Sequence, residues 1–543
     1  MKKLYFIIIA FFLTCSISFG QMAGDSESLI PSDVNILVKS KEISKLTKTL
    51  NYIVNNLMDE SQRADFFAKR DEFKQNTGID YLDESSLKNA GIDTSRSLAF
   101  ANFDKDKLDE VNLFFIPVSN EEDAVLRFIE VIKKIKSDDP DSNIEPVTTK
   151  YKNLTVYELK NDIYAACVNK YLVIGSTSAI IKQVIDHKDS RNKTLILDAN
   201  YNDFLSRIGS GYDLNVFVTK RFLMNMYSKH ADNNNIYSMK NFILTQAYSN
   251  KMSDDEAFVD SIDYISAGIG LDNNKIQVSA SVKFAKDKKI VNDYLGFLKT
   301  GVHSSSIYVP TADSAVFFSL DYQYINNFCK GEVEWCEQFN SSKEEVKNET
   351  GIDFDKDFIP YLSGGMNIIY QDTSASTGGF GDIVVFAPMT DQAKIEQLWN
   401  KMKKFYQTKY SPSKKFGEEK IGSSKAFWFI DESQMRIFVS CDKRGIFAGN
   451  SSVLMKSSLA SNTTITSVKS GRYKDIINDK TFFLLNIKKN SFMNMFMNMN
   501  AQGNSNVTGW INRLGEIFLY SEKNDNFISL NLEVEIKEPK SKK

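Results

Sequence analysis

Four methionines at alternate positions, Met493, Met495, Met497 and Met499, stand in the stretch SFMNMFMNMN that begins at Ser491. Thioethers are soft donors, so the chemistry this spacing offers is a Cu(I) box. A second copy of the stretch argues against it. Met224-Asn225-Met226-Tyr227 corresponds to Met493-Asn494-Met495-Phe496 at an offset of 269, keeps only two methionines, and has only His230 nearby. What both copies keep is helical spacing. Leu223, Met226 and Tyr227 share one helix face, and Phe492, Met495, Phe496 and Met499 stand at i, i+3, i+4 and i+7. The expectation is an apolar helix face that packs on a core or lines an apolar groove, with methionine as adaptable filler.

Other reactive side chains are scattered. His187, His230 and His303 have no counterparts across the two copies, which leaves little for a zinc site or a histidine-based triad. Ser85-to-Lys88 and Ser411-to-Lys414 fit S-x-x-K but lack any supporting motif, and Gly268-x-Gly270 lies in a predicted strand without the third glycine of a dinucleotide loop. Asp104, Asp106 and Asp109 resemble the start of a calcium loop that lacks its glycine and closing glutamate. The basic run Lys401, Lys403, Lys404, Lys409, Lys414 and Lys415 reads as the polar side of a helix, with anionic headgroups as the sharper alternative. No metal or cofactor is expected.

Cys329 and Cys336 in FCKGEVEWC either form a disulfide, with Gly331 available for the turn, or remain two thiols. In one continuous helix their Cα atoms would lie about 10 Å apart, too far for a bridge.

The elements that must position these residues are bounded by the chain itself. Its 543 residues exceed the size at which single cores split, so two or more domains are expected. A formal charge of −2 gives no footprint for nucleic acid. MKKLYFIIIAFFLTCSISFG reads as a signal peptide cleaved after Gly20, too short in its apolar run to span a bilayer. The rival is a lipoprotein anchored at Cys15, preceded by the poor lipobox Phe12-Leu13-Thr14. No later stretch has the length of a transmembrane helix. The expected location is the periplasm or the extracellular space.

The remaining chain is written twice. NTGIDYLDE from Asn76 returns as ETGIDFDKD from Glu349, and AACVNKYLVIGS from Ala165 returns as FVSCDKRGIFAGN from Phe438. Thr77 and Thr350 are offset by 273, Pro117 and Pro388 by 271, and both Cys167–Cys441 and Gly175–Gly449 by 274. Preserved order and offset point to a tandem duplication: a first module over 21–300 and a second over 301–543.

Each copy shows the same order of elements. A strand (34–38 or 315–319) leads through a helix to the T-G-I-D turn, where Gly78 and Gly351 are expected at positive φ. Two strands and a helix capped by Ser119 or Thr390 follow. Then come short strands, a strand with Cys167 or Cys441 as a buried small hydrophobe, and a long closing hairpin turned by Asx residues. The fold class is α+β, each module a mainly antiparallel sheet with packed helices.

IPSDV, TGIDYLDESSL and ETGIDFDKDFIPYLSGG resemble exported bacterial proteins grouped as a family of unknown function, which carry a proline–aspartate strand start and a TGID segment. The first copy has SRSLAF where the second has SGG. The resemblance implies export and this architecture, and it supplies no catalytic residues. The functional expectation is a non-enzymatic envelope protein that binds a hydrophobic ligand, a lipid or an envelope protein. The alternative is an envelope-polymer hydrolase whose carboxylates the sequence does not locate.

Overall fold

A computed structural model describes residues 26–537 apart from 57, 59, 106–108, 136–144, 160–162, 191–192, 208–211, 231–254, 273, 287, 301–308, 310–311, 331–333, 364, 372–380, 461–475, 477 and 489–513. In the first half, β1 (Ile36–Ser40) is followed by helices α1 (Ile43–Asn56), α2 (Glu60–Thr77) and α3 (Glu84–Asn89). Strands β2 (Ala99–Lys105) and β3 (Asp109–Pro117), helix α4 (Glu121–Ile135), and strands β4 (Val147–Tyr151), β5 (Leu154–Leu159), β6 (Ile163–Val168) and β7 (Tyr171–Gly175) come next. Helices α5 (Ser178–Asp189) and α6 (Ala199–Arg207), strand β8 (Leu214–Thr219), helices α7 (Lys220–His230) and α8 (Asp255–Asp260), and the hairpin β9 (Ile262–Asp272)–β10 (Lys275–Phe284) complete it, before helix α9 (Lys289–Gly296).

The second half repeats the plan. It runs β11 (Ser314–Ser319), α10 (Tyr322–Phe328), α11 (Glu334–Thr350), β12 (Gly365–Gln371), β13 (Asp382–Pro388), α12 (Gln392–Tyr410), β14 (Phe416–Ile421), β15 (Ser424–Ile430), β16 (Arg436–Asp442) and β17 (Gly445–Gly449). Helix α13 (Ser452–Ala460), β18 (Thr481–Ile487) and the hairpin β19 (Leu514–Asn524)–β20 (Phe527–Ile536) follow.

Every strand pairing is antiparallel, and each pairing of the first ten strands recurs ten strands later. β4-β5-β6-β7-β3-β2-β1-β8-β9-β10 is one hydrogen-bonded series, and β14-β15-β16-β17-β13-β12-β11-β18-β19-β20 is the other. The two series meet at β10 and β20, which pair from Lys275↔Glu535 to Lys283↔Phe527. Lys275 opens β10 after the hairpin turn as Phe527 opens β20, so Ser279 corresponds to Asn531. Those two residues also pair with each other. A local two-fold therefore runs through the joint, and the fold is α+β with one continuous sheet.

The T-G-I-D segments explain their own repetition. Gly78 has φ +78° and Gly351 φ +69°, the left-handed conformation that ends a helix and that glycine adopts without strain. The hydroxyls of Thr77 and Thr350 donate to the carbonyls of Phe73 and Val346 and accept from the amides of Ile79 and Ile352. Lys74 reaches Asp80 at 3.2 Å, and Lys347 reaches Asp353 at 2.9 Å.

Two local expectations need correction. The helix caps lie one residue later than Ser119 and Thr390: Asn120 accepts from the amide of Glu122, and Asp391 from those of Ala393 and Lys394. Ser119 and Thr390 instead donate to the carbonyls of Gly91 and Tyr361, tying the strand exit to the preceding loop. The first strand begins at Ile36, not residue 34, because the amide of Asn35 bonds to Asn102 outside the regular ladder.

Core residues lie on both sheet faces. In the first half one face carries α5 and α6 over Leu37, Phe115 and Val173, and the other carries α1, α3 and α4 over Phe114, Leu172 and Ile174. In the second half α13 covers Phe386 and Phe447, and α12 covers Phe427 and Val439.

Candidate functional site

One row of side chains runs across the face that carries α1 and α12. Ile368, Val316, Leu485, Leu519, Leu532 and Val278 occupy directly opposed positions on β12, β11, β18, β19, β20 and β10. All six are half-buried, and none belongs to the apolar clusters that the buried described residues form. At a strand spacing of ~4.8 Å the row spans about 24 Å. Beyond Val278 it continues to Ile269 and Leu214, which pack in the first module's core beneath α1.

The opposite face of the sheet is closed at β9, β10 and β20. Ser266, Ser279, Ser281, Ser529 and Asn531 are all buried there, and Ser279 donates to Asn531 at 2.8 Å. Around the joint, then, the small polar side chains are hidden while the aliphatic ones remain partly in contact with solvent. That inverts the usual half-buried sheet, in which alternation puts the apolar set inside. Such a face can offer non-directional apolar contact.

The flank of this face is tied down by charge. Lys523 donates to the carbonyls of Leu295 and Leu298 at 2.5 and 2.9 Å, and burial lowers its pKa. Asp260 at the end of α8 receives Lys220 of α7 at 2.6 Å and Lys288 before α9 at 2.8 Å, and these hydrogen bonds pull its pKa down to about 2. The three helices enclose a small core of Leu223, Phe258, Ile262, Phe284, Val291 and Leu295.

The sequence-picked residues fall in different places. Leu223 on α7 is 2% exposed in that small core, whereas Met226 on the same helix is 37% exposed. The side chain of Tyr227, and Phe492, Met495, Phe496 and Met499 with the rest of the methionine stretch, lie outside the described residues. So do the signal peptide, Gly20 and Cys15, as well as His303, Gly331, and the side chains of His230, Asp104, Asp106 and Asp109. Cys329 and Cys336 are joined in a disulfide at the α10–α11 corner, with Cα atoms 5.0 Å apart, beside Phe297 and Ile325.

Cys167 and Cys441 occupy the same register position in β6 and β16, opposite Leu172 and Ile446. Both are half-buried, and burial pushes their thiols up to about 12 and about 11, far from a reactive thiolate. His187 is buried on α5 with its Nδ1 3.2 Å from the carbonyl of Leu29. In the basic run, Lys401 meets Asp357 at 2.5 Å, Lys403 meets Glu418 at 2.7 Å, and Lys409 lies over Phe405 and Tyr410. Among the described residues no group of three or more metal-ligating side chains is brought together, and no helix is long and apolar enough to cross a membrane.

The apolar row has no signature along the chain. Its members were visible only as alternating positions in separate strands, and their alignment depends on which strands pair.

No curated protein matches this chain. Among solved structures, crystal form I of TP0453 aligns over 51% of this chain and 85% of its own length at 8% identity, with a TM-score of 0.27. Crystal form III of TP0453 covers 51% and 86% at 10% identity, with a TM-score of 0.26. Likenesses this slight carry no argument about fold or function. The family described as "Protein of unknown function (DUF3352)" matches residues 68–421, well over half of the chain, and the protein belongs to that family.

Proposed function

We propose that this is an exported, non-enzymatic envelope protein, built by tandem duplication, that binds a hydrophobic ligand or lipid chain on the open face of its joint sheet. The observation that carries this reading is the half-exposed row from Ile368 to Val278, whose six side chains are all aliphatic. Burying one Leu or Val side chain against a ligand contributes about 1.5–3 kcal/mol, so a few of them suffice for micromolar affinity. The signal-peptide pattern supports export, and the recurrence of all strand pairings supports duplication.

The test is titration of the secreted protein with a fluorescent long-chain fatty-acid analogue. Wild type should bind saturably, and Leu532→Asp and Val278→Asp should each weaken binding tenfold or more, by about 1.4 kcal/mol. Saturable binding that both variants retain in full would place the ligand elsewhere. No binding by wild type would remove the hydrophobic-ligand reading.

A further inference from the structure

The closed face of the joint holds a second feature, independent of the apolar row. Two neighbouring rows cross it. Lys39, Asn215, Gly268, Ser279 and Asn531 oppose one another on β1, β8, β9, β10 and β20, and Phe217, Ser266, Ser281 and Ser529 form the next row. At its first-module end the patch meets a buried charge pair. Glu27, 1% exposed, accepts from Lys39 and from the hydroxyl of Tyr201.

Three polar atoms in the middle of the patch have no hydrogen-bond partner in the protein: the Oδ1 of Asn215 and the hydroxyls of Ser266 and Ser281. Their residues are 7%, 0% and 2% exposed. Buried polar groups are almost always satisfied, and three unsatisfied neighbours on one sheet face are costly unless something bonds to them. Phe217 stands directly opposite Ser266 and Ser529 opposite Ser281, and the ring of Tyr212 closes over Gly268, where a Cβ would come within 2.6 Å of it. Three orphaned polar atoms closed to bulk solvent match the needs of an internal water, which takes two to four polar partners. A larger ligand would have to displace Tyr212.

We propose that this patch is a binding site for ordered water, with at least one molecule bridging the hydroxyls of Ser266 and Ser281 and connecting toward Asn215. Ser266 and Ser281 are directly opposed across β9 and β10, with Ser529 next in line on β20. The water therefore sits between β9 and β10, one strand inside the first half from the joint, with Ser529 of β20 as the nearest side chain of the second half in that row.

A crystal structure of the secreted full-length protein tests this directly. The expected result is electron density for a water within hydrogen-bond distance of both serine hydroxyls. A dry patch, a direct Ser266–Ser281 hydrogen bond, or a larger molecule in that place would overturn it. A second measurement is the melting temperature of the Ser266→Ala/Ser281→Ala double variant. Removing hydroxyls that hold a water strands that water and lowers the melting temperature. Removing dry orphans relieves a burdened core, so an unchanged or raised melting temperature counts against the proposal.

Discussion

The first module lays the fourteen-residue α1 across one face of its sheet, whereas the second has the seven-residue α10 at the same point in its element order. From α1, Ile43, Leu46 and Leu50 pack on Phe114, Leu172 and Leu214. From α10, Ile325 packs instead with Phe297 and the Cys329–Cys336 disulfide at the edge of the joint. The strands beneath are paired alike in both modules. Helix length over the same strand order thus leaves one half's surface covered and the other's open, and a recurring strand order can carry two surfaces of opposite character.

The largest expected effect tests the closed side. Leu46→Ala removes a core side chain that is 2% exposed and should cost about 2–5 kcal/mol in urea denaturation. Leu485→Ala, half-buried on the open row, should cost about 1 kcal/mol or less. Equal losses would mean that the two faces are equally covered, and the contrast between the modules would fail.

Next comes the disulfide, which holds the α10–α11 corner where the first module has a longer helix. Replacing Cys329 and Cys336 by serine should lower stability by about 2–4 kcal/mol, read as a lower melting temperature that reductant does not change further. A variant that melts with wild type would show that α10 needs no such tie.

The T-G-I-D turns sharpen the comparison from the side of sameness. A Cβ at Gly78 or Gly351 meets nothing within 4 Å, so only the positive φ opposes alanine. Gly78→Ala and Gly351→Ala should each cost about 1–2 kcal/mol, and the two values should agree. Clearly unequal costs would show that the turns are equivalent in sequence alone.

The smallest effect is electrostatic. Lys220 and Lys288 hold the pKa of Asp260 at about 2, below the roughly 3.9 of an unfolded chain. A carboxylate with a lowered folded pKa adds stability above its unfolded value and loses it as pH falls through the folded one. Because the side chain is 38% exposed, solvent screening keeps the contribution well under about 1 kcal/mol. Melting curves of wild type and Asp260→Asn should differ slightly at pH 7 and converge as pH drops from about 4 to 2. A gap that persists at pH 2 would rule out the ion pairs as its source.

Much of the architecture was legible along the chain because its signals are local. Gly78 and Gly351 announce helix ends through their own backbone freedom, and the Asx turns before Lys275 and Phe527 announce hairpins between alternating strands. Those signals recur, 273 residues apart for the two glycines and 252 for the two hairpin turns, and mark two α+β halves. The caps were misplaced by one residue because Ser, Asn, Thr and Asp are all competent N-caps. The choice between Ser119 and Asn120, or Thr390 and Asp391, rests on which side chain the Gly91 or Tyr361 carbonyl captures.

The candidate site was not legible, for a reason of distance. Alternation says that Val278 and Ser279 point to opposite faces, and it is silent on which face a helix will cover. Lys275 meets Glu535 across 260 residues of chain, and no local pattern records that partner. By itself the sequence determined the elements, their period, their turns and their twofold recurrence, since each is an interaction among near neighbours. Only the tertiary structure decided that β10 and β20 join the two halves, that six aliphatic side chains align across six strands, and that the polar face is the buried one. Those features exist only once strands far apart in the chain have chosen their neighbours and the helices have taken up the faces left over.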